Sequence, residues 1–239
     1  MMTIVHEENI KVYNMAMMNN GDILISSCDS ELRQYTKDGT LKSYKDFSPL
    51  ETGGVHVNKH KEILVGLGES GSIDIKPNSI RRVVVLNQAR EIIHTYENDR
   101  NNQRLFTWSW RITTSNDNIY VIDLMNSTNE GRLVVLDYRG QVKWIYTGGD
   151  KLKSNADKFY PRGITVTTSG LILISECDNH LIYVLNQTSS LVFCYRVKDL
   201  GIELPLCLVI DVRGFVWVGC NTWQKEKTSS AKLHQFKFN

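Results

Sequence analysis

Gly163-Ile-Thr-Val-Thr-Thr-Ser-Gly-Leu-Ile-Leu-Ile-Ser-Glu-Cys177 and Leu206-Cys-Leu-Val-Ile-Asp-Val-Arg-Gly-Phe-Val-Trp-Val-Gly-Cys220 are two copies of one phrase. Each is an apolar run, a short polar turn, and a second apolar run ending on a small residue or an acid, then a cysteine. The phrase recurs at Met15–Cys28, Val55–Gly66 and Arg111–Asp123. Its turns fall at residues 21, 62, 118, 170 and 214, in steps of 41, 56, 52 and 44 residues. Short strands repeating at that period predict a radial array of small β-sheets.

The other half of each repeat is a hairpin. Leu181-Ile-Tyr-Val-Leu185 is followed by the turn Asn186-Gln-Thr-Ser-Ser190 and by Leu191-Val-Phe-Cys-Tyr195. Arg132–Leu136 with Gln141–Ile145, Arg82–Leu86 with Glu91–His94, and Leu32–Tyr35 with Leu41–Tyr44 repeat it. Asn, Asp or Gly stands in each turn, where such residues fit the backbone. One repeat is therefore four antiparallel strands, here termed a, b, c and d. Strands b and c are continuous apolar runs, as expected of strands covered on both faces. Pro49, Pro161 and Pro205 precede strand a, where a missing N–H costs no ladder bond.

The expected fold is an all-β propeller with five four-stranded blades and essentially no helix. The blades span about 14–48, 54–97, 110–147, 162–197 and 206–239, in one domain over 1–239. The fifth repeat lacks a d strand, and an open edge invites aggregation. A strand within Thr3–Val5 is expected to pair beside Lys232–Phe238 and close the ring.

The chain has 239 residues, 41% hydrophobic, with a formal net charge of +2. That is enough apolar material for a core, and far from the basic excess of a general nucleic-acid binder. No apolar run reaches 18 residues and the N-terminus has no basic, apolar leader pattern, so neither a membrane span nor a signal peptide is expected. The five cysteines, Cys28, Cys177, Cys194, Cys207 and Cys220, show no Cys-x-x-Cys spacing. Three occupy the same place in the repeat. They read as buried thiols in a reducing, cytoplasmic setting, with neither disulfides nor a zinc site.

Several phrases resemble the NHL-type propellers at the C-terminus of tripartite-motif proteins, with the look of the large invertebrate, notably bivalve, families. They are Gly131-Arg-Leu-Val-Val-Leu-Asp-Tyr-Arg-Gly140, Trp144-Ile-Tyr-Thr-Gly148, Pro161-Arg-Gly-Ile-Thr-Val-Thr-Thr168, Cys177-Asp-Asn-His180, Val184-Leu-Asn186 and Asp199-Leu-Gly-Ile-Glu-Leu-Pro205. The likeness covers essentially the whole chain. Such propellers typically have six blades, against five here, and ligase activity in that family resides in a RING domain whose zinc spacing this chain lacks. The resemblance thus implies a non-enzymatic, protein-binding, substrate-recognition module. It implies no catalytic residue, cofactor or metal.

Propeller geometry places the b–c and d–a connections on one face, and here those are the long ones. Long loops on a rigid scaffold carry function. Across the loops of that face, 17 acidic residues stand against 10 basic ones, a balance of −7. That sign suits a protein or peptide partner and disfavours RNA, although some NHL domains bind RNA there through a basic surface. Candidate contact residues are Arg81, Arg82, Trp108, Trp110, Lys158, Tyr160, Arg162, Asp178, His180 and Trp223, with the arginine pair the best RNA candidate and the aromatics the best anchors. The domain is expected to be monomeric. The alternative is an enzyme resembling the lactonase-type propellers, which hold a divalent ion with Glu, Asn and Asp. Asp123, Glu176 and Asp178 end b strands near where such ligands would lie, but they read first as solvated loop acids. His56 and His180 have no evident acid or nucleophile partner, and no H-E-x-x-H, G-x-S-x-G or P-loop motif is present.

Overall fold

A computed structural model of the chain describes residues 9–69, 79–128, 130–148, 158–221 and 232–237. The secondary structure is β throughout, apart from one 3-10 turn at Val197–Leu200 among the described residues. Five antiparallel sheets follow one another in chain order. The first holds β1 (Asn14–Met17), β2 (Ile23–Ser26), β3 (Glu31–Tyr35) and β4 (Leu41–Asp46). The second holds β5 (Leu50–Val57), β6 (Ile63–Glu69), β7 (Arg81–Leu86) and β8 (Ile92–Tyr96). The third holds β9 (Ser109–Ser115), β10 (Asn118–Leu124), β11 (Gly131–Asp137) and β12 (Val142–Tyr146). The fourth holds β13 (Pro161–Val166), β14 (Ile172–Glu176), β15 (Leu181–Leu185) and β16 (Leu191–Arg196). The last has three strands, β17 (Pro205–Ile210), β18 (Phe215–Cys220) and β19 (Leu233–Lys237). This is the five-blade propeller arrangement that the repeats predict. The expected closing strand within Thr3–Val5 lies outside the described residues.

The turns are built by short polar side chains. Asn186 Oδ1 accepts the N–H of Thr188 at 3.0 Å and of Ser190 at 2.9 Å. Asp211 does the same for Arg213 and Phe215, and Asp137 for Arg139 and Gln141. Such side chains hold a turn's N–H groups where the strand ladder ends. Strands b and c are apolar and almost wholly buried, as in β10, β14 and β15. The outer d strands alternate or face solvent.

Two compact units make up the chain, Met1–Ile112 and Thr113–Asn239, with the boundary inside β9. In the first unit, Leu24 and Leu32 of one sheet pack with Val55, Ile63 and Val65 of the next. In the second, Leu173, Ile182 and Val184 pack with Leu208, Val216 and Val218. The same face of each sheet therefore meets its successor in both cores. It is called here the trailing face, and the opposite one the leading face. Glycines permit close approach at sheet boundaries. A Cβ on Gly163 would stand 2.9 Å from both Cys207 Cα and the Leu206 carbonyl oxygen.

Among the described residues no helix is long and apolar enough to cross a membrane. All five cysteines are free.

Candidate functional site

In the second unit, the ends of two b strands carry acidic side chains that are buried. Asp123, at the end of β10, is 0% exposed, and Glu176, at the end of β14, is 1% exposed. Burying a carboxylate is costly unless donors replace water. Asp123 Oδ2 accepts the Arg132 Nε–H at 2.9 Å, across the β10–β11 register. Glu176 Oε1 accepts the backbone N–H of Tyr160 at 2.9 Å, and Oε2 the Tyr183 hydroxyl at 2.9 Å. Asp178, two residues on, is exposed. The expectation of solvated strand-end acids therefore holds for Asp178 and is corrected for Asp123 and Glu176.

These groups are contiguous. The Gly131 N–H, beside Arg132, donates to the Phe159 carbonyl at 2.9 Å. Gly131 is required there, since a Cβ would stand 3.1 Å from Pro161 Cγ and 2.9 Å from the Asp123 carbonyl oxygen. Phe159 lies edge-on to Tyr183 and Tyr146, with centroids 5.3 and 5.5 Å away. Burial and the adjacent Glu176 charge push the Tyr183 phenol well above its ordinary value, so it stays a donor.

Arg162 lies where the β13–β14 register shifts, between Pro161 and Gly163. A bulge turns one side chain out of the alternation, and bulges recur beside active sites. The homologous shift in the last sheet skips Leu206, so the guanidinium belongs to this blade's sequence and not to the repeat. Arg162 is buried. Lys158, exposed, pairs with Glu130 at 3.5 Å. Tyr160 is half-buried.

His180 closes the tight β14–β15 turn with a positive φ of 56°. Its Nδ1 accepts the Leu204 N–H at 2.9 Å. Burial, then Lys198, lowers its pKa, so the ring is neutral with the proton on Nε2. It is thus built to donate from Nε2. Burial pushes the Cys177 thiol up to about 11, which removes it as a thiolate nucleophile at neutral pH.

The remaining sequence candidates lie in the first unit or outside the described residues. Arg81 is buried, donates from Nη1 to the Glu69 carbonyl at 2.8 Å, and stacks 5.5 Å over Trp108. Arg82 faces Glu97 at 3.6 Å. Trp108 is buried and its Nε1–H donates to the Tyr13 hydroxyl at 3.1 Å. Trp110 packs edge-on to Tyr13 at 4.7 Å. These four side chains are structural parts of their sheets. Trp223 lies outside the described residues. Sequence reasoning passed over Arg132 and Tyr183. An arginine opening strand c, opposite the acid closing strand b, is the signal that marks the first. Nothing in the apolar run of β15 marks the second.

No group of three or more His, Cys, Asp or Glu side chains able to hold a metal ion occurs among the described residues. Asp123 Oδ2 and both Glu176 oxygens are engaged by protein donors, so these acids do not fit a lactonase-type metal set. No step is routed through one.

The sequence matches no protein-family model, and no curated protein matches it. Solved structures match in fold. A protein of unknown function from Bacteroides caccae shares 16% identity over 97% of this chain and 79% of its own, with a TM-score of 0.67. A catalytically inactive histidine-to-alanine variant of virginiamycin B lyase from Staphylococcus aureus, solved with quinupristin, shares 15% over 97% and 71%, with a TM-score of 0.61. A gluconolactonase from Xanthomonas campestris shares 12% over 88% and 71%, with a TM-score of 0.62. These identities establish the fold alone; neither a tripartite-motif protein nor a bivalve origin is among what they show. They correct the expectation of a fold without chemistry, because the neighbours are largely enzymes.

Proposed function

We infer that the b–c end of the second unit is a ligand site, and that the chain opens an ester or lactone bond in a small carbonyl compound. The observation that carries this is the convergence there of buried charge: Asp123, Glu176 and Arg162 at successive strand ends. Buried acidic and basic side chains brought together at one rim of a β scaffold are candidates for a site. A gluconolactonase and a virginiamycin B lyase share the fold, which supports the substrate class.

In this reading Arg162 binds the carbonyl or a neighbouring anionic group of the substrate, and stabilises charge as it builds on oxygen. The neutral His180 donates a hydrogen bond from Nε2. Glu176, held by Tyr160 and Tyr183, supplies the fixed negative field that orients Arg162. A polypeptide ligand at the same end is the second reading, favoured by the acidic balance of the long loops.

The test is turnover of a panel of aldonolactones, aryl esters and cyclic depsipeptides by the purified chain, followed by acid release or mass change. Ring opening above the uncatalysed rate, lost in Glu176→Gln, is expected. No turnover of any class, together with tight binding of a peptide from a random library, would replace this reading by the second.

A further inference from the structure

The connection from β16 to β17 is fastened at both ends by one residue. At its start, the Val197 N–H donates to the His180 carbonyl at 2.9 Å. At its end, the Leu204 N–H donates to His180 Nδ1, also at 2.9 Å. Between these bonds the chain folds back on itself, with the Gly201 and Ile202 N–H groups donating to the Lys198 and Val197 carbonyls. Val197 and Ile202 sink into the core shared by the fourth and fifth sheets, while Leu200 stands out in solvent.

Leu204 is held in a conformation that its side chain disfavours. Its φ is 50°, where the Cβ of an L residue crowds its own backbone. Such a residue persists only where its surroundings over-determine it. Here the bond to His180 does so, together with a bond from the Asn221 N–H to the Leu204 carbonyl at 2.9 Å and a buried side chain.

A neutral imidazole accepts at Nδ1, and a protonated one cannot, because both ring nitrogens then carry hydrogens. In the protonated ring, Nδ1–H would face the Leu204 N–H, donor against donor. We propose that His180 is an acid-released latch: its protonation breaks the bond to Leu204 and frees that end of the connection, while the Val197 end, held by a backbone carbonyl, stays fastened. The surroundings of the ring set where it opens. Burial opposes the proton first, then Lys198; Glu203 and Asp178 favour it, and Arg196 opposes it. Their balance lowers the pKa from 6.5. The latch is therefore closed above about 6.5 and opens as pH falls through the lower value of the closed form. It involves no catalytic step at the neighbouring rim, and it holds whether or not the chain opens esters or lactones.

Amide hydrogen exchange in the full chain, read by NMR from about pH 7.5 to about pH 4.5, tests it. Between the pKa values of the open and closed forms, the opening constant rises about tenfold per pH unit. The protection factor of the Leu204 amide should fall at that rate, and that of the Val197 amide should stay level. His180→Asn keeps an acceptor oxygen in place of Nδ1, tolerates a positive φ and does not titrate, so its Leu204 protection should stay level too. In wild type, the Leu204 amide shift and the His180 ring should titrate with one midpoint. Level Leu204 protection in wild type, equal slopes in wild type and variant, a parallel fall at Leu204 and Val197, or separate midpoints overturns the proposal. If His180→Asn does not fold, the midpoints and the Leu204–Val197 comparison decide it in wild type alone.

Discussion

Asp123 and Glu176 are held without water, and their partners differ in kind. Asp123 accepts from the Arg132 guanidinium, and Glu176 from a backbone N–H and a phenol. Arg132→Met leaves a buried carboxylate without its ion-pair partner, and the expected cost is about 2 to 3 kcal/mol in urea unfolding, near the low end for buried pairs because the guanidinium retains some water contact. Glu176→Gln keeps an acceptor for one donor but loses the charge, for about 1 to 2 kcal/mol. A cost below about 0.5 kcal/mol in either variant would mean that the carboxylate is solvated. The histidines give a pH signature. Burial lowers the His56 pKa from 6.5 to about 4. The unfolded chain then binds the proton more readily, so stability is complete above about 6.5 and falls as pH drops toward about 4. His56 alone accounts for about 3 kcal/mol over that window, and His180 adds in the same direction. His56→Gln should flatten that part of the profile. An unchanged slope would assign the acid sensitivity elsewhere.

At the scale of the strands, much was legible because its causes are local. Asn186, Asp211 and Asp137 start turns that they themselves hydrogen-bond, so the turn chemistry announces the hairpins. The apolar runs of β14 and β15 are buried on both faces, as their composition requires. The burial of Glu176 was not legible. Its donors come from Tyr160 on the preceding connection and from the middle of β15, so only the register brings them together. Trp108 reads in sequence first as a packing residue and second as a contact anchor; it stacks with Arg81 inside the fold, a contact that only the register brings about. The contact between β13 and β17 gives an element-scale prediction. Gly163→Ala forces a Cβ to within 2.7 Å of Ser175 Oγ and 2.9 Å of backbone atoms of β17. Backbone cannot yield cheaply, so a loss of about 2 to 3 kcal/mol is expected from the midpoint of thermal or urea unfolding. A neutral substitution would show that the two inner strands are less closely packed.

For the whole chain, the repeat decides the architecture and leaves the chemistry open. Five sheets of one pattern differ most where their strand ends meet loops, and the charged residues there belong to individual blades. Arg162 stands where the last sheet has Leu206, so this charge belongs to one blade and not to the repeat. The structural neighbours include a lyase and a gluconolactonase, so the fold is one that enzymes use. The most direct measurement is kcat/KM on the best substrate of the lactone and ester panel, for wild type and for Arg162→Gln, alongside each protein's unfolding midpoint. The account predicts a fall of about 100-fold with the fold intact, as for removal of a group that stabilises developing negative charge. Equal kcat/KM in two folded proteins would contradict it.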